Sequence, residues 1–365
     1  MVAITDKPIA TDTGDTGRLI GETTRRLMQP HCSSVQLKDA EGSWSEPLWR
    51  ELDDTGFTRA LVPSGAGDLE IPIADALSII RIAGSFSAPV PLAESMLAHW
   101  MLQTAGLPAI KGPLSIAPVN AEERFELRPA RSAWQLKGTA SRVPWGRYSA
   151  TVVVAAEVDG KSFIAAVPCS SFLDVVHGEN LAREPRDQIR IDASIPSRLV
   201  APFDPGVEGI YTLGAAMRVL QMTGALDSVL RLTVQYAQDR KQFGRAIGKF
   251  QAVQQNVAVM AANIAAARAA ANSVVRIIAE SGSSYGIAAA KLRTNEAATI
   301  AAKIAHQVHG AMGFTQEYEL HFLTKRLWSW RDEFGSEAVW GRKLGRAVCE
   351  RGPDQLWAFI TSEMT

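Results

Sequence analysis

The chain has 365 residues, of which 47% are hydrophobic and 21% charged, as is typical of a globular protein with two or three domains. Lysine plus arginine equals aspartate plus glutamate at 38 each, so the net charge is zero. This balance argues against nucleic acid or an anionic membrane as the main partner. The three cysteines, Cys32, Cys169 and Cys349, match neither a metal-ligand spacing nor a disulfide set, and free thiols predict a cytoplasmic location.

The sequence offers no targeting or membrane signal. The first residues, MVAITDKPIATDTGDTG, lack the basic region and apolar core of a signal peptide. No run of about 18 apolar residues predicts a membrane span. His306 and His309 could share a helix face, but no other ligands follow at a suitable spacing. We therefore expect these histidines to be structural and expect no metal site.

Residues 1–111 are predicted to form a helical domain. The stretch GRLIGETTRRLMQP has helical periodicity and ends at Pro30, whereas SEPLWRELDDTGF begins at the capping residue Ser45 and ends at Gly56. Two further stretches, IPIADALSIIRIAGSF and PLAESMLAHWMLQTAG, are apolar on most faces, which predicts helices buried between others.

Residues 112–203 are predicted to form a small β domain, either a barrel or a sandwich. ATVVVAAEV and SFIAAVP flank Asp159-Gly160, the signature of a hairpin turn. FELRPARSAWQLKGTA predicts two more strands.

Residues 204–365 return to long helices. Four are predicted in succession: one ending near Arg240, a second over residues 251–280, a third over 284–310 and a fourth over 316–330. Their many small residues favour close packing in a four-helix bundle. The predicted fold class is α+β, mainly α, with three domains.

Three motifs lie on this bundle at a specific separation. They are RKQFG at 240–244, FQAVQ at 250–254 and QVHGAMGF at 307–314, followed by a Glu-Tyr pair. Together with APVPLAESMLA at 88–98 and the order of domains, they resemble the acyl-CoA dehydrogenase family over essentially the whole chain.

The resemblance implies a flavoenzyme of shared construction. Members of this family bind FAD and remove two hydrogens from the α and β carbons of an acyl-CoA thioester, with a glutamate taking the α proton. Each FAD site is shared, because the bundle of a neighbouring subunit holds the ADP half. A dimer or tetramer is therefore expected, with an electron-transfer flavoprotein or a similar protein as electron acceptor.

The residues that the family lends to a neighbour's FAD are present. The resemblance assigns Arg240 to the pyrophosphate, for which a guanidinium has paired donors. It places Phe243 beside the cofactor, gives Gln251 and Gln307 amide contacts to the nucleotide, and uses Gly310 for close backbone approach. The alternative is a basic surface loop with ordinary polar groups on helices.

The half-site that a family member uses for its own flavin is altered. The usual Thr-Glu-Pro and Gly-Ser-Asp elements are missing from residues 114–123, which read LSIAPVNAEE. In the register set by Gly138-Thr139, Arg142 replaces the usual strand tryptophan and Pro144 replaces the flavin-contacting threonine. Proline offers neither a hydroxyl nor an N–H, so two donors to the flavin ring are lost.

The usual base segment of the family, Tyr-Glu-Gly-Thr, aligns with Glu333-Phe334-Gly335-Ser336. Phe334 then occupies the base position, and Gly335 and Ser336 carry over as cofactor contacts. Some members place the base on the first bundle helix, near Met217 here, but residues 210–226 contain no acid.

Glu333 is thus the candidate catalytic base, although it lies one residue before the position at which the family has its base. A base must reach its proton, and one residue along a loop turns a side chain by a large angle. The other interpretation of Glu333 is a surface or ion-paired acid with Arg331 or Arg342 as its partner.

Three hypotheses remain open. The chain is the supporting subunit of a heteromer whose paralogous partner carries the base, with a bulky polycyclic acyl-CoA as substrate by family analogy. Alternatively it is a complete homo-oligomeric acyl-CoA dehydrogenase that uses Glu333. The third hypothesis is a non-catalytic, flavin-free scaffold of the same fold.

Overall fold

The computed structural model describes residues 14–62, 71–120, 122–280 and 282–363. The segment on which the expected lack of a signal peptide mainly depends, residues 1–13, lies outside the described residues. The N-terminal part is helical, and its helices are α1 (Asp15–Met28), α2 (Ser34–Asp39), α3 (Glu46–Asp54), α4 (Ile73–Ser85) and α5 (Leu92–Thr104).

The start and stop signals of these helices act as the sequence predicts. Helix α1 ends at Met28, just before the turn that contains Pro30. Ser45 caps α3, and its hydroxyl oxygen accepts a hydrogen bond from the backbone N–H of Leu48 at 3.4 Å.

The middle of the chain forms one eight-stranded sheet in the order β6-β7-β3-β2-β4-β5-β8, with β1 paired in parallel to β4. The strands are β1 (Leu114–Ala117), β2 (Phe125–Ala130), β3 (Ala133–Pro144), β4 (Thr151–Val158), β5 (Lys161–Pro168), β6 (Phe172–Val176), β7 (Arg186–Pro196) and β8 (Val200–Pro202). The predicted hairpin is confirmed: β4 pairs antiparallel to β5, and Asp159 and Gly160 both have positive φ, as a tight hairpin turn requires.

The C-terminal part begins with the four predicted bundle helices. They are α6 (Gly206–Asp239), α7 (Gln251–Ala279), α8 (Ser284–His309) and α9 (Leu320–Asp332). A miniature hairpin of β9 (Lys241–Gln242) and β10 (Arg245–Ala246) lies between α6 and α7, with Phe243 and Gly244 at its turn.

Two helices that the sequence patterns did not predict complete the chain, α10 (Glu337–Arg351) and α11 (Leu356–Glu363). Helix α10 buries only Trp340, Leu344 and Ala347, so its apolar stripe is narrow and interrupted by glycines. A weak stripe of this kind explains why periodicity alone did not indicate a helix.

One hydrophobic core joins the N-terminal helices, the sheet and the near half of the bundle, and a second core fills the far half of the bundle. Helices α4 and α6 pack closely against each other because Gly84 on α4 and Gly224 on α6 have no side chain. A Cβ at either position would overlap backbone of the other helix. Among the described helices, α7 is the one long and apolar enough to cross a membrane by length and composition.

Candidate active site

A surface cleft of about 360 Å³ opens where α6 and α8 end. Its lining consists of Tyr236, Arg240, Gln242, Ile247, Gln307, Val308, His309, Gly310, Ala311 and Met312. The structure therefore brings together Arg240, Gln307 and Gly310, three of the residues that the resemblance assigns to a nucleotide.

Local backbone bonds hold Arg240 at the mouth of this cleft. Its N–H donates to the carbonyl of Tyr236 at 2.9 Å, and its own carbonyl accepts from the N–H of Ile247 at 2.8 Å. The second bond closes the β9–β10 hairpin over the end of α6. The exposed guanidinium thus extends from a fixed backbone toward the cleft.

Gly310 ends α8 with a φ of 58° and a ψ of −138°, a conformation that other residues rarely adopt. Nothing lies within 4 Å of the position that a Cβ would occupy. The backbone at this end of the cleft is therefore open to close approach by a ligand, as the resemblance requires.

The floor of the cleft is a stack of aromatic rings. The ring centroids of Tyr236 and His309 lie 4.4 Å apart. His309 Nδ1–H donates to the carbonyl of Ala305 at 2.8 Å, so its Nε2 accepts from the hydroxyl of Tyr318 at 3.0 Å. Burial lowers the pKa of His309, which keeps the imidazole neutral.

His306 has a protein partner too, the hydroxyl of Thr324 at 2.8 Å. Within the described part of the chain, no three His, Cys, Asp or Glu side chains form a group that could hold a metal ion. The structural interpretation of both histidines fits these contacts.

Two predicted cofactor residues do not line the cleft. Phe243 stands at the tip of the hairpin with 92% of its surface exposed, and its ring meets Phe250 edge-on at 6.2 Å. Gln251 is exposed at the first position of α7. Both lie on the surface next to the cleft, where only another molecule could cover them.

The four residues from Glu333 to Ser336 join α9 to α10 in the interior. Gly335 has a φ of 101°, and a Cβ there would collide with the indole of Trp340. Ser336 is the N-cap residue of α10 by position, although its hydroxyl makes no capping bond. Gly335 thus has a structural reason for its identity, and the predicted contacts of Gly335 and Ser336 with a cofactor remain predictions.

Phe334 is buried and only 3% exposed, despite a φ of 52°. Its ring packs against Gly214 of α6, where a Cβ would overlap it. The indole N–H of Trp340 donates to the Phe334 carbonyl at 2.9 Å. The residue at the usual base position of the family is therefore a core aromatic.

Glu333 is not a surface acid, and neither Arg331 nor Arg342 is its partner. It is 9% exposed and lies between two buried arginines. Its Oε1 accepts from Arg186 Nε at 2.7 Å, and its Oε2 accepts from Arg218 Nε at 2.8 Å. Arg331 instead lies beside Asp332 and Glu337 on the surface.

This pair of contacts belongs to a larger group, the buried ionic cluster, made of three acids and three arginines. Its members are Glu94, Glu184, Arg186, Arg218, Arg326 and Glu333, all buried. Arg218 bridges Glu333 to Glu94 at 2.6 Å, while Glu184 accepts from Arg186 at 2.9 Å and from Arg326 at 3.0 Å.

The cluster connects all three parts of the chain. Glu94 comes from α5, Arg186 from β7, and Arg218 and Arg326 from α6 and α9. Charges so deeply buried are tolerated only when they are paired and hydrogen-bonded. The charged side chains of the cluster accordingly occupy the space between the sheet and the bundle.

The charges around Glu333 make it a poor proton acceptor. Burial by itself would raise the pKa of Glu333, but the positive charges of Arg186 and Arg218 outweigh it and lower the pKa to about 2. Both carboxylate oxygens are already occupied by guanidinium donors. A general base for an α proton needs a free oxygen and a higher pKa.

The lowered pKa makes a prediction for acid unfolding. Glu333 stabilises the fold fully above its ordinary pKa of 4.5, and this contribution is lost as the pH falls toward about 2. The free energy of unfolding of the wild type, measured by urea titration, should therefore fall between pH 5 and pH 3. Where this fall is steepest, it should be about 1 kcal/mol or more per pH unit.

Glu333→Gln should flatten this profile and lower stability at pH 7, while Glu126→Gln on the exposed surface serves as the matched control. Equal acid profiles for wild type and Glu333→Gln would contradict the assignment of Glu333 to the buried ionic cluster.

Beside Phe334 lies a narrow crevice that does not admit a water molecule. It is lined by Ala93, Glu94, Leu97, Ile116, Gly214, Met217, Arg218 and Phe334. Met217 and Phe334, the two positions at which the family places its base, thus converge on one point. At that point the chain has closed its interior.

The altered β-domain residues lie at the end of β3. Arg142 sits in a bulge of β3 with a φ of 58°, and the carbonyl of Pro144 accepts from the hydroxyl of Ser115 at 2.5 Å. Trp145 is 3% exposed and packs against the guanidinium of Arg186 at 5.9 Å. The Trp145 ring thus belongs to the buried region beside the sheet, whereas Arg142 is exposed.

Comparison with known proteins points to the same family as the sequence motifs. Residues 209–348 match the model of the acyl-CoA dehydrogenase C-terminal domain. The chain is 28% identical over 316 residues to the acyl-CoA dehydrogenase IpdE2 of Mycobacterium tuberculosis, covering 85% of this chain and 90% of that protein. The C-terminal part thus matches a domain of acyl-CoA dehydrogenases, and the chain over most of its length is similar to a member of that family.

Solved structures with the same fold include members of this family. The ChsE4-ChsE5 complex from Mycobacterium tuberculosis superposes with a TM-score of 0.85 at 21% identity, covering 93% of this chain and 99% of that one. A variant of the Tcur3481-Tcur3483 steroid ACAD gives a TM-score of 0.83 at 22% identity, covering 92% of this chain and 98% of that one. These likenesses confirm the predicted fold class.

Acyl-CoA dehydrogenases are FAD-dependent oxidoreductases, so two regions of this chain can be compared with what FAD requires: the surface cleft, and the interior between the sheet and the bundle. The cleft fits one part of FAD, because it combines a guanidinium, a side-chain amide and backbone that a Cβ does not obstruct. The interior between sheet and bundle does not fit the flavin ring and thioester, because Phe334, Trp145 and the buried ionic cluster fill it.

Sequence reasoning missed the partners of Glu333. The signal that could have found them is a charge within an apolar run, as with Arg218 in LGAAMRVLQM and Glu94 in PLAESMLA. Such a charge must be paired once its helix is buried. Which acid meets which arginine is a matter of tertiary contact, and no spacing rule predicts it.

Proposed function

We propose that this chain is the supporting subunit of a heteromeric, FAD-dependent acyl-CoA dehydrogenase, and that its cleft completes the FAD site of a paralogous partner. The observation that carries this proposal is the contrast between its two half-sites. The cleft at Arg240 and Gly310 is open and has nucleotide-binding chemistry, whereas the interior at Phe334 is closed.

In this assembly FAD, when bound, would supply the oxidising chemistry for an acyl-CoA held by the partner, and the partner would also supply the base for the α proton. The residues of this chain bind and orient. Arg240 would pair with the pyrophosphate oxygens through two guanidinium N–H groups. Gln307 would bond the nucleotide through its amide, and Gly310 would let the backbone approach. Phe243 and Gln251 would contact the partner or its cofactor from the rim.

The relatives support an assembly of two different chains. ChsE4-ChsE5 and Tcur3481-Tcur3483 each have two components, and Tcur3481-Tcur3483 is a steroid ACAD. We extend this to the substrate of the complex and propose a bulky polycyclic acyl-CoA. An electron-transfer flavoprotein, as acceptor, and the cytoplasm, as location, complete the proposal.

Arg240→Ala tests the shared site. The complex with the paralogous partner should retain flavin roughly 10- to 100-fold less tightly, because one charge-assisted contact of about 1.5–3 kcal/mol is lost. The measurement is flavin per complex after gel filtration, with a dissociation constant from fluorescence titration. Arg128→Ala removes the same charge from an exposed site on β2 and should leave retention unchanged. Equal flavin retention in Arg240→Ala and wild type would remove the shared-site assignment.

Flavin content of the chain purified alone separates the remaining hypotheses. We expect none, with flavin recovered when the paralogue is co-expressed. Near-stoichiometric FAD in a homo-oligomer would favour a complete enzyme with Glu333 as base. Absence of flavin both alone and with the paralogue would favour the scaffold.

A further inference from the structure

The imidazole of His309 lines the same cleft as the guanidinium of Arg240, although only 3% of the residue is exposed. A group buried to this degree is screened little by water and salt, so a charge that enters the cleft acts on it strongly. Histidine is the side chain that ordinarily exchanges its proton near neutral pH. The cleft therefore contains a group whose charge can follow the charge of a bound ligand.

The contacts of the His309 ring suit both its neutral and its protonated form. In the neutral ring, Nδ1–H donates to the carbonyl of Ala305 at 2.8 Å, and Nε2 accepts from the hydroxyl of Tyr318 at 3.0 Å. In the protonated ring both nitrogens donate, and a tyrosine hydroxyl can turn to accept. The carbonyls of Ala305 and Leu232 favour the protonated ring. The ring of Tyr236, with its centroid 4.4 Å from that of His309, presents a face that suits a cation.

The charged and titratable groups around this ring have mixed signs. His306, one turn earlier on α8, has a pKa lowered by burial and then by the charges of His309 and His321. Further charged groups, from α6 and from the residues that lead into α9, are Arg231, Asp239, Arg240 and Glu319. Burial is the main cause that lowers the pKa of His309, so an anion in the cleft would act in the opposite direction.

We infer that His309 is a proton site coupled to the cofactor: it takes up a proton when the pyrophosphate of FAD binds in the cleft, and flavin therefore binds more tightly as the pH falls. The inference rests on the proposed function, because it needs the shared FAD site. The pyrophosphate bridge keeps its negative charge throughout the pH range in which histidine titrates, so it supplies the counter-charge that the buried ring lacks. By linkage, an anion that strengthens proton binding is itself bound more tightly by the protonated site.

Flavin affinity as a function of pH tests this coupling. The complex with the paralogous partner is stripped of flavin and titrated with FAD at pH 8 and at pH 5.5, with flavin fluorescence as the signal. The wild type should bind FAD roughly 5-fold or more tightly at the lower pH. His309→Gln keeps a hydrogen-bonding amide but cannot take up the proton, and its affinity should change by less than about twofold. His177→Gln removes an exposed histidine between β6 and β7 and should follow the wild type.

Tyr318→Phe gives a second test that leaves His309 in place. The change removes the hydroxyl that donates to Nε2 of the neutral ring, whereas the protonated ring keeps the carbonyls of Ala305 and Leu232. Because the neutral form loses more, tight binding of FAD should extend to higher pH than in the wild type. Calorimetric titration with FAD in two buffers of different ionisation enthalpy should show proton uptake in the wild type and less uptake in His309→Gln.

Two results would overturn the inference: parallel pH profiles for the wild type and His309→Gln, and weaker binding by the wild type at pH 5.5 than at pH 8. The same titrations separate this failure from that of the proposed function. Equal FAD affinity of Arg240→Ala and the wild type at pH 8 would remove the shared site itself. Weakened binding in Arg240→Ala, beside a His309→Gln profile that follows the wild type, would remove only the coupled proton.

Discussion

Replacing Arg218 with methionine should lower the free energy of unfolding by about 3–5 kcal/mol, the effect of breaking a buried ion pair from one side. Arg218 is 1% exposed and is the bridge between Glu94 and Glu333. Without it, Oε1 of Glu94 loses its guanidinium donor, and Oε2 already has no hydrogen-bond partner among the described residues. Glu333 would depend on Arg186 and Asn180. Urea unfolding at pH 7 measures the loss.

Two comparisons tie this loss to charge. Arg128→Met removes an exposed arginine from a surface pair and should cost less than about 0.5 kcal/mol. Adding Glu94→Gln to Arg218→Met should recover part of the stability, because the second variant removes a buried charge that the first left unpaired. A loss of under about 1 kcal/mol for Arg218→Met, or no recovery in the double variant, would mean that the cluster does not hold the three parts of the chain together.

Truncating Phe334 to alanine should lower the free energy of unfolding by about 3–5 kcal/mol, because the change removes a buried ring that packs against Gly214 of α6. The backbone offers an internal control. Phe334 has a φ of 52°, so Phe334→Gly should be about 1 kcal/mol more stable than Phe334→Ala, although it removes more atoms. Urea unfolding of the three proteins checks the order of stability.

The Phe334 variants also test what closes the interior. We expect neither variant to bind flavin when purified alone, because Trp145 and the buried ionic cluster still occupy the region beside the sheet. Co-purification of stoichiometric flavin with Phe334→Ala would show that a single ring closes the site. Stability equal to wild type would show that the ring is not packed as described.

Much of the fold could be predicted from local sequence. The helix ends at Pro30 and Ser45 and the hairpin turn at Asp159-Gly160 depend on backbone preferences of neighbouring residues, which act over a few positions. The nucleotide cleft could be predicted in part, since Arg240, Gln307 and Gly310 lie within recognisable motifs. Helix α10 could not, because its narrow apolar stripe becomes meaningful only when Trp340 meets Phe334.

The sequence by itself determined the resemblance to the family, the order of helices, strands and bundle, and the presence of phenylalanine where the family usually has its base, since each depends on residue identity at a motif position or on local periodicity. Only the tertiary structure decided which residues pair with Glu333 and how its pKa is shifted. Its neighbours Arg186 and Arg218 lie 147 and 115 residues away along the chain. Burial and charge together set the pKa and the reach of a carboxylate, and both arise from contacts between distant segments that sequence spacing does not encode.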